Sequence, residues 1–177
     1  MKTNKKTREL ALAGIISALS VVILVMSFFP YLDFSIPALA GCLVAILVIE
    51  IGYKWAVMSY LVVSVLSLII CVNKEATVIY VAVFGLYSIL KSIFETKIKF
   101  IVVEYILKIL FFNIMISVAY AVIILIFNIP FEGLEDLGKF AIPILYVLGN
   151  FVFIIYDIAL TRVLTLYIHK FSGKFLK

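Results

Sequence analysis

From residue 10 onward the chain alternates long apolar stretches with short polar breaks. Six stretches approach or exceed the ~20 apolar residues that a helix needs to cross a bilayer: 10–29, 36–53, 55–72, 76–94, 101–127 and 140–168. The breaks have physical causes. Pro30 ends the first stretch because it lacks an N–H and clashes with the preceding turn. Pro37 suits the first turn of the second. Gly52-Tyr53-Lys54 is a tight turn, and Asn73-Lys74-Glu75 separates the third stretch from the fourth. Asn128 opens the longest connection, which runs to Lys139 and carries the turn residues Pro130, Gly133 and Gly138. The last two spans exceed 25 residues and so are tilted, kinked or emergent, with Pro143 a natural kink or start in the sixth. The pattern predicts an all-α polytopic membrane protein: a bundle of six transmembrane helices forming one integral membrane domain over 1–177.

Composition sharpens this. Residues of the set AVILMFWYC make up 66% of the 177, and charged residues 14%, against about 45–50% and about 25% in soluble domains. A soluble fold leaves about 30% of its unfolded surface in water at this size, too much for such a chain to tolerate. A soluble enzyme, a disordered regulator and a nucleic-acid-binding domain are excluded on that ground. The net charge of +5 is instead a topology signal. With the N-terminus inside, Lys2, Lys5, Lys6, Arg8, Lys54, Lys97, Lys99, Lys170, Lys174 and Lys177 all lie on the cytosolic side, against Lys74 and Lys139 outside. Asp33, Glu75, Glu132, Glu135 and Asp136 lie outside as well. This asymmetry puts both termini in the cytosol. The apolar part of the first span is longer than a signal-peptide core, and Phe28-Phe29-Pro30 is a poor cleavage site, so the span reads as a retained helix.

A polar side chain in hydrocarbon is costly, which makes its position informative. In the fourth span Asn73, Tyr80 and Tyr87 are seven residues apart and share a stripe with Phe84 and Lys91. They form either one wall of an outward-opening pocket or an aromatic packing seam with Lys91 snorkelling to the inner surface. In the sixth span Tyr146, Asn150, Asp157 and Thr161 share a face. Asp157 is eleven residues from Ile168, so it sits roughly 16 Å from the inner end at about 1.5 Å per residue. There it must be protonated, paired or wetted. Lys108 is the better partner, since Arg162 lies about 140° round the same helix. The group serves proton or cation coupling or as a ligand for a cationic group, or else it is a structural ion pair that fixes helix packing.

The fifth span is polar on two sides, with Glu104 and Lys108 as an i,i+4 pair and Asn113, Ser117 and Tyr120 on another stripe, which suggests a central helix. Asn113 is a ligand contact or interhelical glue. Glu50 reaches the interface beside Lys54. Ala13, Gly14, Ser17 and Ala18 form two small-xxx-small pairs that permit close helix approach, to this chain or to another subunit. Cys42 and Cys71 sit in apolar runs as small hydrophobes, without metal-type spacing, and His169 takes no role. No nucleophile–base motif occurs, so no enzyme activity and no cofactor are expected.

The six-span layout and the basic start running into RELALAGIISALS resemble the substrate-binding S components of energy-coupling factor (ECF) transporters. The resemblance implies a small-molecule, vitamin-like ligand near the outer face, under Tyr31 to Ser35 and Asn73 to Thr77 and between helices four to six. By it, Asn73, Tyr80, Tyr87, Asn113, Tyr146 and Asn150 are candidate ligand contacts. It also implies docking of the first helix, through Gly14/Ala18 and Ala13/Ser17, onto a transmembrane coupling subunit that carries ATPase subunits. Glu104, Lys108, Asp157 and Arg162 form a buried charge network inward of that pocket. A different class stays open: a structural scaffold resembling the rod-shape protein MreD, with no transported ligand. NKEATVIYVAVFGLYSILK and IYDIALTR look like stretches of clostridial-type membrane proteins, which implies the cell membrane of a Gram-positive bacterium.

The topology has a direct test. A cysteine placed at Glu135 should react with an impermeant maleimide on intact cells. Labelling only after permeabilisation would reverse the orientation.

Overall fold

The computed structural model describes residues 5–29, 32–127 and 141–170. Pro30, Tyr31, the connection from Asn128 to Lys139 and the basic residues Lys2, Lys174 and Lys177 lie outside the described residues. Six helices follow in order, with no strand among the described residues: α1 Lys5–Val25, α2 Ser35–Ile51, α3 Tyr53–Ile70, α4 Lys74–Lys97, α5 Ile101–Phe127 and α6 Ala141–Lys170. A 3-10 turn, Met26–Phe28, prolongs α1. All but α2 are long and apolar enough to cross a membrane. α2 has 17 residues and is mean-apolar throughout, and it lies inside the bundle. The protein is therefore an all-α, multi-pass membrane protein.

Local chemistry sets the boundaries. α2 and α3 are joined by Gly52 alone, at φ 90° and ψ 174°. That region is essentially open only to glycine, so the chain reverses there in a single residue. Asn73 caps α4, its side-chain oxygen accepting from the N–H of Ala76 at 3.0 Å. Its amide reaches back to Ser27 O at 3.0 Å and Asp33 Oδ1 at 2.6 Å, tying together three helix ends. Pro143 falls in the first turn of α6, where its missing N–H costs nothing.

α1 and α3 run parallel. Glu9 meets Trp55 and Ser17 meets Ser59, so contacts ascend both helices together. The buried stripe of α1, Ala13-Ser17-Ser20-Leu24 continued by Ser27, has the 4,3,4,3 spacing of one helix face. Small residues there allow close approach, and Ser17 Oγ and Ser59 Oγ share a hydrogen bond of 2.5 Å. The four small residues of α1 are thereby split. Ala13 and Ser17 face inward, whereas Gly14 and Ala18 are exposed, and nothing approaches within 4 Å of a Cβ built on Gly14. Among the described residues the Gly14/Ala18 pair faces open space.

The expectation of a central α5 is corrected. α4 is the enclosed helix, with 61% of its spanning window buried against 22% for α5 and 17% for α6. α5 is polar on two sides because both sides meet neighbours near one edge of the bundle, and the rest of its surface (Val102, Ile106, Leu110, Ile114, Val118) is exposed and apolar. α4 is irregular at mid-span. Tyr80–Phe84 form a π turn, which takes more residues per turn than an α-helix and so shifts the faces that follow it. Tyr60 of α3 donates its hydroxyl to the Val81 carbonyl at 2.8 Å within that turn. α2 crosses α4 closely at the same level. A Cβ on Gly41 would lie 2.8 Å from Phe84 O, a backbone atom that has little freedom to move.

Candidate functional site

Polar side chains collect along one seam where α6 meets α4 and α5. Ser117 and Tyr146 share a hydrogen bond of 2.5 Å. One helical turn along, Asn113 and Asn150 form a reciprocal amide pair, each Nδ2 donating to the other's Oδ1 at 2.9 Å. Each amide also donates to its own helix, Asn113 to Ile109 O and Asn150 to Tyr146 O, both at 2.8 Å. Both amides thus have donors and acceptors engaged, as a group surrounded by hydrocarbon requires.

Two turns further, the seam ends in a charge cluster. The Asp157 carboxylate accepts from the Tyr87 hydroxyl and from Lys91 Nζ, and Lys108 Nζ lies 3.2 Å from its other oxygen. Lys91 also pairs with Glu95 at 2.7 Å, and Lys108 pairs with Glu104 at 2.7 Å and Glu95 at 3.1 Å. Side-chain exposure is 2% for Lys91, 3% for Lys108, 5% for Asp157, 14% for Glu104 and 38% for Glu95. Glu95 is the most exposed of these side chains, and through it the cluster meets the surface. On its other side aromatic rings close it off: Tyr87 meets Phe153 edge-on at 4.8 Å, and Phe112 stacks on Phe153 at 4.5 Å. Away from water, ions persist only when matched by counter-ions and hydrogen bonds. Every ion here has at least one.

The α4 candidates do not act together. Asn73 is engaged as the cap and tie of α4. Tyr80 is fully buried on the α3 side, its ring 6.3 Å from that of Tyr60, and its hydroxyl has no hydrogen-bond partner among the described residues. Tyr87 points the other way, to Asp157. The seven-residue stripe fails because it assumes unbroken α-helix, and the π turn lies between the two tyrosines. Asn113, Tyr146 and Asn150 do come together, with Ser117. Two readings of charged groups are corrected. Lys91 does not snorkel: its side chain is 2% exposed and is held by Asp157 and Glu95. Arg162 is exposed and takes no part in the cluster's ion pairs, being turned away by the angle that separates it from Asp157. Lys91 and Glu95 are the members that sequence reasoning missed. Their i,i+4 spacing matches that of Glu104 and Lys108 and was the available signal. Glu50 bonds across to α6, accepting from the Tyr167 hydroxyl at 2.9 Å.

No protein-family model matches the chain, and comparison with curated proteins and with solved structures returned no match.

Shared partners set the energetics. Leaving a buried charge with no counter-ion costs about 3–5 kcal/mol. Removing the charge of Asp157 alone does not do this, since Lys91 keeps Glu95 and Lys108 keeps Glu104. Asp157→Asn should therefore cost only about 1–3 kcal/mol, the range for disturbing a buried hydrogen-bonded group. Adding Glu95→Gln strips Lys91 of both carboxylates and should raise the total by about 3–5 kcal/mol, far beyond the sum of the single variants. Unfolding midpoints in mixed micelles read this directly. Additive effects would mean that the two carboxylates do not share Lys91.

Proposed function

We propose that this chain is the membrane-embedded, non-catalytic solute-binding subunit of an ECF-type micronutrient uptake transporter in a bacterial cell membrane. The observation that supports it most is the grouping of Asn113, Ser117, Tyr146 and Asn150 on one α5–α6 seam. These four groups supply donors and acceptors at one place inside a hydrophobic span. A solute carrying amide-like or hydroxyl groups exchanges hydrogen bonds with the Asn113–Asn150 pair nearly one for one, so opening the pair is inexpensive. The outward-facing Gly14 and Ala18 supply a close-contact surface for a coupling subunit, left uncovered by the described residues. The Asp157 cluster, below the seam, anchors α6 to α4 and α5.

A structural scaffold resembling MreD is the second reading. It is favoured by the same amides' mutual satisfaction: groups already paired to each other need no ligand.

Native mass spectrometry of the protein purified from its membrane in mild detergent separates the two. The transporter reading predicts a bound small molecule that is lost in the Asn113→Leu, Asn150→Leu double variant while the unfolding midpoint moves little. It also predicts a co-purified membrane subunit that is lost in Gly14→Leu and Ala18→Leu. A protein with no small-molecule adduct, and with partner binding indifferent to position 14, would overturn it.

A further inference from the structure

A groove separate from the seam opens at the basic end of the bundle, between the first turns of α1 and α3. Lys6, Thr7, Glu9 and Leu10 line it from α1, and Lys54 and Trp55 from α3. The two lysines reach it from different helices. Neither makes an ion pair or hydrogen bond with another described residue. The one carboxylate in the groove, Glu9, is directed instead to Trp55, accepting its indole N–H at 3.0 Å. The groove thus has two unmatched ammonium groups against one engaged carboxylate, a net positive site. A hydroxyl, that of Thr7, lies beside them.

The walls differ in kind. The Trp55 ring and Leu10, which is 58% exposed, give the groove an apolar side. Beyond the groove exposed apolar side chains follow on α3, Met58 and Leu61 among them. Tryptophan favours the boundary between headgroups and acyl chains, and here its N–H bond to Glu9 ties the ring to α1. A cationic mouth above an apolar track fits an amphiphile better than a free ion.

We propose that this groove binds the phosphate-bearing headgroup of an anionic phospholipid, with Lys6 and Lys54 on the phosphate and the acyl chains lying along Leu10 and α3. The site is specific and goes beyond a diffuse attraction of basic residues to a negative surface, because two helices converge on one headgroup. It does not depend on the transport reading.

The test is native mass spectrometry of the intact protein titrated with phosphatidylglycerol, phosphatidylcholine of the same chains, or inorganic phosphate. Phosphatidylglycerol should bind in preference to phosphatidylcholine, and millimolar inorganic phosphate should not displace it. Lys6→Gln with Lys54→Gln should weaken phosphatidylglycerol binding ~30-fold, equivalent to about 2 kcal/mol at about 1 kcal/mol per lysine. Lys97→Gln with Lys99→Gln removes the same charge from exposed positions elsewhere and should change it little. Both pairs are exposed, and an unfolding midpoint in the same micelle checks that each variant is intact. Equal loss from the two double variants would reduce the effect to bulk charge and overturn the site. Displacement by inorganic phosphate would make it a free-anion site and overturn the lipid assignment. Equal binding of the two lipids would overturn both.

Discussion

A carboxylate far from either end of a membrane helix is the constraint around which this bundle is arranged. Hydrocarbon offers Asp157 no water, so its charge must be met by protein groups. α4 supplies Tyr87 and Lys91, and α5 supplies Lys108. Each lysine then needs more than one anion's share, which Glu95 and Glu104 provide nearer the surface. One buried acid thereby dictates the relative depth and rotation of three helices. This matters most for α6, whose buried apolar side chains among the described residues are Phe153 and Leu160, on either side of Asp157. Between helices in lipid there is no water to expel, so apolar contact alone specifies position weakly. The polar seam does the specifying.

The other half of the bundle is held differently. α1, α2 and α3 approach closely through small residues and a short serine contact, with Gly52 reversing the chain and Gly41 admitting the backbone of α4. α4 belongs to both halves. Its π turn lets Tyr80 face the α1–α3 side while Tyr87 faces the charge cluster seven residues later. A regular helix would put the two rings on one face and could not serve both. The irregular turn is stabilised where it stands, by Tyr60 on the Val81 carbonyl.

The helices themselves were legible because membrane spans have a length set by the bilayer and are punctuated by residues with known backbone effects. Pro37, Gly52, Asn73 and Pro143 each sit where their chemistry indicates. The pairing of Asp157 with Lys108 was legible for a related reason, since rise per residue puts the acid far from either helix end, where it needs a counter-ion. What could not be read was rotation. A stripe drawn from Asn73 through Tyr80 to Tyr87 presumes constant pitch, and one π turn displaces it. Lys91 was misplaced by a related assumption, that a lysine near a span end extends to water. Its location depends on which carboxylates approach from other helices, which is tertiary information. The division of Ala13 and Ser17 from Gly14 and Ala18 is also tertiary: both pairs have the same spacing, and only packing against α3 distinguishes them.

The account rests on Asp157 being an ionised carboxylate held by two ammonium groups in the membrane. Infrared difference spectroscopy of the protein in lipid, with Asp157→Asn as the subtraction, observes that state. The account predicts loss of ionised-carboxylate stretching bands in the variant, with no loss at protonated-acid carbonyl frequencies. Loss of a protonated-acid carbonyl band at neutral pH would show Asp157 to be neutral and would contradict the ion-cluster basis of the fold.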